Sequence, residues 1–220
     1  MKKIAMMLMM FLMAGTLNVM AQSVKQEKKK QAKAELKEKA SKAARDEAKR
    51  LKKEGWTVFP GALPLEMQLD RSYLYQLEVD EDMNPLYIIG NAQSIGENTD
   101  AARIQATELS RVDIAGKIGS ETTAKVDNMV GNKQLSAEEA ATITTILMED
   151  KTIISQKLGR LLPAVEIYRT LKNKNKEVMI RLAMKESAVR EMVKNHIRGR
   201  MEEKGQKMSD ELDAMLSNGR

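Results

Sequence analysis

The first 21 residues constrain this chain most, because they have the layout of a secretory signal. Two lysines precede an apolar run over residues 4–13, and small and polar residues then lead to Ala21. A basic start, a short apolar run and a small residue before the cleavage site are typical of such signals. We therefore expect residues 1–21 to be a signal peptide and the mature chain to be exported: periplasmic, associated with the outer membrane, or secreted.

The absence of cysteine limits what the exported chain can become. The sequence contains 0 cysteines, which excludes a disulfide framework, thiolate chemistry and a lipid-bearing cysteine. The apolar run of the signal is shorter than the roughly 20 residues that span a bilayer, and no later uncharged segment approaches that length. We expect a mature chain with no transmembrane span, either soluble or peripheral.

The positive charge of the chain is concentrated near its start. Residues 22–54 contain 13 Lys and Arg against 6 Asp and Glu, whereas residues 55–220 contain 22 against 25. A nucleic-acid-binding protein usually carries its positive charge on the folded face that contacts the ligand, beside stacking aromatic residues. Because aromatic residues are only 3% of the chain, we expect no nucleic acid among its partners.

Residues 22–54 are predicted to form a charged helical arm. The segment from Lys25 to Lys53 lacks Gly and Pro and is rich in strong helix formers, and Gly55 is a typical residue just past a helix end. Mostly small residues form a thin stripe along it: Leu36, Ala40, Ala44, Ala48 and Leu51. The arm is either a solvated helix resting lightly on its own domain or a basic tether for an anionic envelope surface or a partner helix.

Residues 55–85 are predicted to be an apolar linker followed by a helix. The linker contains the single Trp56 together with Phe59 and two prolines, so we expect it to pack on the domain. Pro64 suits the first turn of a helix, and Leu65, Leu69, Tyr73 and Leu77 then fall on one face.

The predicted fold class is α+β, with a small antiparallel sheet packed by helices and preceded by the long charged helix. Residues 86–204 form the predicted domain and residues 205–220 a C-terminal tail. The sheet is predicted from a strand over residues 86–92 and a hairpin over residues 164–184, since both are apolar or alternating runs bounded by turn residues. Helices are predicted over residues 101–118, 136–156 and 187–204, although the β-branched residues 142–146 also suit a strand.

Several helix ends carry recognisable signals. Asn98 or Thr99 is a candidate cap for the first helix of the domain. Ser136 and Glu139 have the spacing of a capping box. We also expect Ser187 to cap the last long helix and Gly205 to end it.

The strand end Gly90-Asn-Ala92 and the pattern A-R-x-x-A-x-x-x-S-R-x-x-I-A-x-x-I from Ala102 carry a resemblance to a known family. Over about Leu86 to Met184 the chain resembles the LPP-twenty-like family of twenty-kilodalton bacterial envelope lipoproteins. The resemblance implies a noncatalytic α+β envelope module. The family's lipid-bearing cysteine is absent here, and the long basic arm is not part of the family pattern.

The sequence assembles no catalytic, cofactor or metal site. The single histidine, His196, lies on the apolar stripe of a predicted helix and is interpreted as a core or boundary residue. Residues 80–82 are acidic but lack the spaced ligands and glycine of a calcium loop. The segment Gly90 to Gly96 lacks the third glycine and the lysine of phosphate loops, so Gly90 is interpreted as a point of close backbone approach.

The candidate interaction residues are Arg103, Arg111, Trp56 and Phe59. The two arginines either face an anionic partner, since guanidinium groups bind planar anions well, or pair with local acids. We expect a noncatalytic cell-envelope interaction or assembly protein, with an envelope protein or an anionic envelope surface as partner. The alternative is a soluble periplasmic binding module for an envelope glycan or lipid, and an enzyme is not expected.

Overall fold

The computed structural model describes residues 34–35, 38–39, 41–80 and 83–218. The chain divides into two compact units, Met1–Ala43 and Ala44–Arg220. In the first unit every described residue is helical, and the predicted signal peptide lies outside the described residues. The second unit contains all the elements named below.

A four-stranded antiparallel sheet forms the centre of the second unit. Its strands are β1 (Thr57–Val58), β2 (Tyr87–Gly96), β3 (Leu162–Thr170) and β4 (Lys176–Lys185), and their order across the sheet is β1-β3-β4-β2. The predicted hairpin is the β3–β4 pair, and the predicted strand at residues 86–92 is β2, which runs four residues further. Strand β1 lies in the segment that the sequence indicated only as a linker.

Helices cover both faces of this sheet. Within the described part of the unit they are α1 (residues 44–53), α2 (Leu65–Leu77), α3 (Thr99–Gly131), α4 (Ala137–Glu149), α5 (Lys151–Lys157), α6 (Glu186–Glu203) and α7 (Asp210–Asn218). The predicted α+β fold class is confirmed. The strand alternative for residues 142–146 is wrong, because these residues lie inside α4.

Three predicted helix boundaries differ from the structure. Helix α3 continues to Gly131, well past residue 118, because no glycine cap or proline interrupts it earlier and its apolar residues stay buried. The predicted helix over residues 136–156 breaks at Asp150 into α4 and α5. Helix α6 begins at Glu186 without a side-chain cap bond, so the capping role predicted for Ser187 is wrong.

Two other predicted ends are confirmed, and the predicted capping box is confirmed only in its Ser136 half. The Asn98 side chain accepts a hydrogen bond from the Ala101 amide at 2.9 Å, and Gly205 ends α6 with φ +70°. Ser136 accepts from the Glu139 amide at 3.1 Å. Glu139 accepts from the Ser209 amide at 3.1 Å, so it ties the start of α4 to the segment before α7.

The two faces of the sheet have separate hydrophobic cores. The first core lies between the sheet and α3–α7 and includes Ile114, Ile143, Ile180 and Ile197. The second core lies on the opposite face, under α1 and α2, and includes Ala48, Leu51, Trp56, Leu69 and Met179. Burial of apolar area at about 25 cal/mol per Å² makes both cores contributors to stability.

The structure draws the limits of the folded unit differently from the sequence. The last third of the predicted arm, residues 44–54, belongs to the unit, and Ala44, Ala48 and Leu51 are buried in the second core. The predicted C-terminal tail contains α7, whose Leu212 and Leu216 are buried in the first core. A lightly resting solvated helix therefore does not describe residues 44–53.

Strand β2 and helix α3 approach each other closely at Gly90. A Cβ atom on Gly90 would lie 2.1 Å from the Ser110 carbonyl oxygen and 2.7 Å from Ile114. The Ser110 hydroxyl donates to the Gly90 carbonyl at 2.8 Å. The predicted role of Gly90 as a point of close backbone approach is confirmed.

Candidate functional site

Arg103 and Phe59 lie together on the α3 face of the sheet. The Arg103 guanidinium is 5.1 Å from the centre of the Phe59 ring and pairs with Glu166 of β3. The Phe59 ring is 4.8 Å from that of Tyr168. Arg103 thus pairs with an acid of its own domain, but this acid is Glu166, far away in sequence, and not one of the local acids that the sequence offered.

Arg111 binds the end of a neighbouring helix. Its guanidinium donates to the carbonyl oxygens of Leu158 at 2.7 Å and Ser155 at 3.3 Å. These carbonyls lie at the C-terminus of α5, where unpaired acceptors and the helix dipole favour a cation. Arg111 therefore joins α3 to α5 through two hydrogen bonds within its own domain.

Trp56 lies on the other face of the sheet, in the second core. It is 4% exposed, and the Arg169 guanidinium stacks 4.6 Å from its ring centre. The four candidate residues thus do not form one site. Arg103 and Phe59 meet on one face, Trp56 is on the opposite face, and Arg111 contacts α5.

A polar groove lies on the Trp56 face of the sheet and is the candidate site. Its volume is about 640 Å³. Helix α1 and helix α2 form its walls, and strands β2, β3 and β4 form its floor. Its polar lining consists of Glu47, Arg50, Glu54, Tyr73, Gln76, Asn91, Gln93, Arg169 and Arg181. We call this surface the polar groove.

Glu47 and Arg181 form the central ion pair of the polar groove. Arg181 of β4 donates to both carboxylate oxygens of Glu47 of α1, at 2.6 and 3.3 Å. Burial alone would raise the pKa of the Glu47 carboxyl, but hydrogen bonds from Arg181 and Tyr73 and the nearby positive charges outweigh it and lower that pKa. Glu47 is therefore ionised at neutral pH and fixes the Arg181 side chain.

Arg169 is fixed at the Trp56 end of the polar groove. Its Nε donates to Glu177 at 2.6 Å, and a terminal nitrogen donates to the Glu54 carbonyl oxygen at 3.3 Å. Stacking of a guanidinium on an indole ring adds a cation–π attraction. The Trp56 Nε1 atom is buried and hydrogen-bonds to no described residue.

Three carboxamide side chains complete the polar groove. Gln76, Asn91 and Gln93 are exposed, and no described residue hydrogen-bonds to their side-chain amides. Each amide offers donors and an acceptor to a bound molecule. Sequence reasoning singled out Trp56 alone from this site, because the other side chains come from five elements that only the fold brings together.

His196 belongs to a separate buried cluster. Its Nε2 atom lies 2.9 Å from Asp150 and its Nδ1 atom 2.9 Å from the Lys157 ammonium. Because an ammonium group only donates, Nδ1 accepts and we assign the proton to Nε2, which donates to Asp150. His196 is 6% exposed, in agreement with its interpretation as a packed residue.

Asp150 is the acceptor that holds this cluster together. It also accepts from Arg200 at 2.7 Å. Burial would raise the pKa of the Asp150 carboxyl, but hydrogen bonds from His196 and Arg200 and the positive charge of Arg200 prevail and lower it. The cluster thus ties the α4–α5 break to α6.

The described residues contain no group of three or more His, Cys, Asp or Glu side chains that could hold a metal ion. No described helix is long and apolar enough to cross a membrane.

No family model, curated protein or solved structure matches this chain. The resemblance to the LPP-twenty-like family therefore stays a prediction.

Proposed function

We infer that this chain is an exported, noncatalytic interaction protein of the cell envelope, and that the polar groove holds its partner. The observation that carries the proposal is that the two arginines on the floor of the groove, Arg169 and Arg181, are already held in place by other residues of this chain. Arg181 is held by Glu47, and Arg169 is held by Glu177 and the Trp56 ring. Side chains that are fixed before binding lose less conformational entropy when a partner arrives.

The carboxylates of the groove favour binding over turnover. Glu54 pairs with Arg50 at 2.9 Å, and the lowered pKa of Glu47 keeps its carboxyl ionised. An efficient general acid or base instead needs a pKa near the working pH. The arginines and the open carboxamides suit a polar partner held by hydrogen bonds.

A photoreactive amino acid at Gln76 tests this proposal in cells that export the chain. Gln76 is exposed and lines the groove, so we expect an adduct with an envelope protein. The matched control is Gln134, an exposed residue between α3 and α4, from which we expect none. Retention of the full-length chain in the cytoplasm, or equal adducts from both positions, would contradict the proposal.

The second candidate function is a binding module for an envelope glycan. The observation that favours it is the polar lining of the groove, since guanidinium and carboxamide groups match the hydroxyl groups of a sugar chain. The same lining disfavours a lipid, whose acyl chains need an apolar cavity.

Calorimetric titration with soluble peptidoglycan fragments tests the glycan candidate. We expect saturable binding that Arg50→Ala and Gln76→Ala each weaken about tenfold, the effect of losing one hydrogen bond of about 1.4 kcal/mol. Arg71→Ala is the control, because Arg71 is also exposed but does not line the groove. Absence of heat with the unmodified chain would exclude this candidate.

A further inference from the structure

The outer edge of β2 is protected over only part of its length. The Asn91 amide donates to the Asp113 carboxylate at 2.9 Å, and the Ile89 carbonyl accepts from the Lys117 ammonium at 2.6 Å. These backbone groups therefore face away from β4. Because backbone direction alternates along an antiparallel strand, the amides and carbonyls of Gln93 and Ile95 face the same outer edge.

No strand of the described residues pairs with this outer edge, since β2 is the last strand of the sheet. Unpaired edges are templates for another strand, and proteins usually block them with charged side chains. Among the described residues, Asp113 and Lys117 block the edge only at residues 89 and 91. No described residue hydrogen-bonds to the Asn91 carbonyl or to the backbone groups of Gln93 and Ile95 on this edge.

We propose that this edge pairs with β2 of a second copy of the chain, antiparallel and in a register that places Gln93 opposite Gln93. In that register Ile95 lies opposite Asn91 of the second copy. The two copies exchange hydrogen bonds at Gln93, and each Ile95 amide donates to an Asn91 carbonyl. In this register the Ile95 carbonyl of the second copy takes the place of the Asp113 carboxylate on the Asn91 amide, and Asp113 keeps its ion pair with Lys117 at 2.8 Å.

An exposed leucine on α3 fits the same two-fold axis. Gln105 contacts Ser94 and Asp113 contacts Asn91. Leu109 lies between Gln105 and Asp113 on α3, about one helical turn from each. Its position along β2 therefore corresponds to Gln93. It is 44% exposed. The two-fold axis through Gln93 brings Leu109 of one copy against Leu109 of the other.

Charge complementarity favours a second copy over an unrelated strand. Lys117 lies at the Ile89 end of the edge, whereas the exposed acids Glu97 and Asp100 follow its other end. Antiparallel pairing brings each Lys117 beside Glu97 of the second copy. An ammonium group has three donors, and Lys117 uses two of them, on Ile89 and Asp113. The third is available for that carboxylate.

The dimer also joins the two polar grooves. The Asn91 and Gln93 side chains line the groove at its β2 side, so pairing along this edge places the two grooves side by side. The proposal does not depend on the function inferred above, because it concerns the strand edge and not what the groove holds.

Cysteine crosslinking of the full chain tests the register directly, because the sequence contains 0 cysteines. Opposed residues that exchange both hydrogen bonds have Cα atoms about 5.5 Å apart, within the range of a disulfide. We expect Gln93→Cys to oxidise to a dimer. Mixed Asn91→Cys and Ile95→Cys chains should also crosslink, whereas Gln134→Cys should stay monomeric. Crosslinking that is equal at all positions, or absent at Gln93, would overturn the proposal.

Sedimentation of the cysteine-free chain provides an independent readout. We expect the mass to rise with concentration from the 24.7 kDa of one chain towards twice that value. Leu109→Glu should abolish the rise, because it brings two like charges together at the axis. Ile104→Glu is the matched control: Ile104 is 67% exposed on the same helix but faces away from the edge. A wild-type chain that stays monomeric, or equal loss from both variants, would overturn the proposal.

Discussion

At the scale of single residues, Gly90 is the described glycine at which an added Cβ would make the closest contact. We expect Gly90→Ala to lower the free energy of unfolding by about 1–3 kcal/mol, the usual effect of overpacking. The physical reason is that the new Cβ would lie 2.1 Å from a backbone oxygen of α3, which cannot rotate away. Urea denaturation measures the change, with Gly131→Ala as control because a Cβ there meets nothing within 4 Å. Equal stability of the two variants would contradict the close approach.

Helix caps and helix ends could be predicted from the sequence where they depend on residues that are close together in the chain. The Asn98 cap and the Gly205 helix end depend on neighbours a few residues away, and the structure confirms both. Glu139 was predicted to bond back to Ser136, but it accepts from Ser209 instead. That partner is distant in sequence, so no spacing rule indicates it.

At the scale of elements, α1 is a structural part of the second core. Leu51 is 0% exposed and packs there with Trp56 and Leu69. We expect Leu51→Ala to lower the free energy of unfolding by about 2–4 kcal/mol, because it removes buried methyl groups and leaves a cavity. Lys53→Ala, an exposed change on the same helix, should stay within about 0.5 kcal/mol. Similar midpoints in urea for both variants would contradict this packing.

Element types were largely predictable, but their partners were not. The sequence shows the stripe of Ala44, Ala48 and Leu51. Small side chains predict only weak packing when the surface they cover is unknown, so the sequence did not indicate that this stripe is buried. Strand β1 has only two residues, and it forms a strand because it pairs with β3. The polar groove could not be predicted for the same reason, since it combines side chains from α1, α2 and three strands.

At the scale of the whole molecule, three carboxylates, two partly buried and one buried, connect distant elements. Glu47 joins α1 to β4, Glu121 joins α3 to α6, and Asp150 joins the α4–α5 break to α6. Burial opposes ionisation of each, but the hydrogen bonds and charges of their basic partners lower all three pKa values. Each ionised carboxylate therefore stabilises the folded state.

The sign of the pH dependence follows from these lowered values. In the unfolded chain the carboxyls return to their ordinary pKa values, 4.5 for Glu and 3.8 for Asp. Below about those values the unfolded chain binds protons that the folded chain does not, so the free energy of unfolding falls as the pH falls. We expect these groups to contribute fully near neutral pH and to lose their contribution as the pH drops below about 4.5 and then through their folded pKa values.

Urea denaturation of the full chain between pH 7 and pH 3 measures this loss of stability. The Glu47→Gln variant shows how much of it comes from the Glu47 carboxyl. The variant should be less stable than the wild type at pH 7, because Arg181 loses its ionised partner. It should also lose less stability on acidification, because one linked proton has been removed. The two curves should therefore converge at low pH. Parallel curves, or a wild-type chain that gains stability below pH 4, would show that the Glu47–Arg181 pair does not stabilise the fold through its charge.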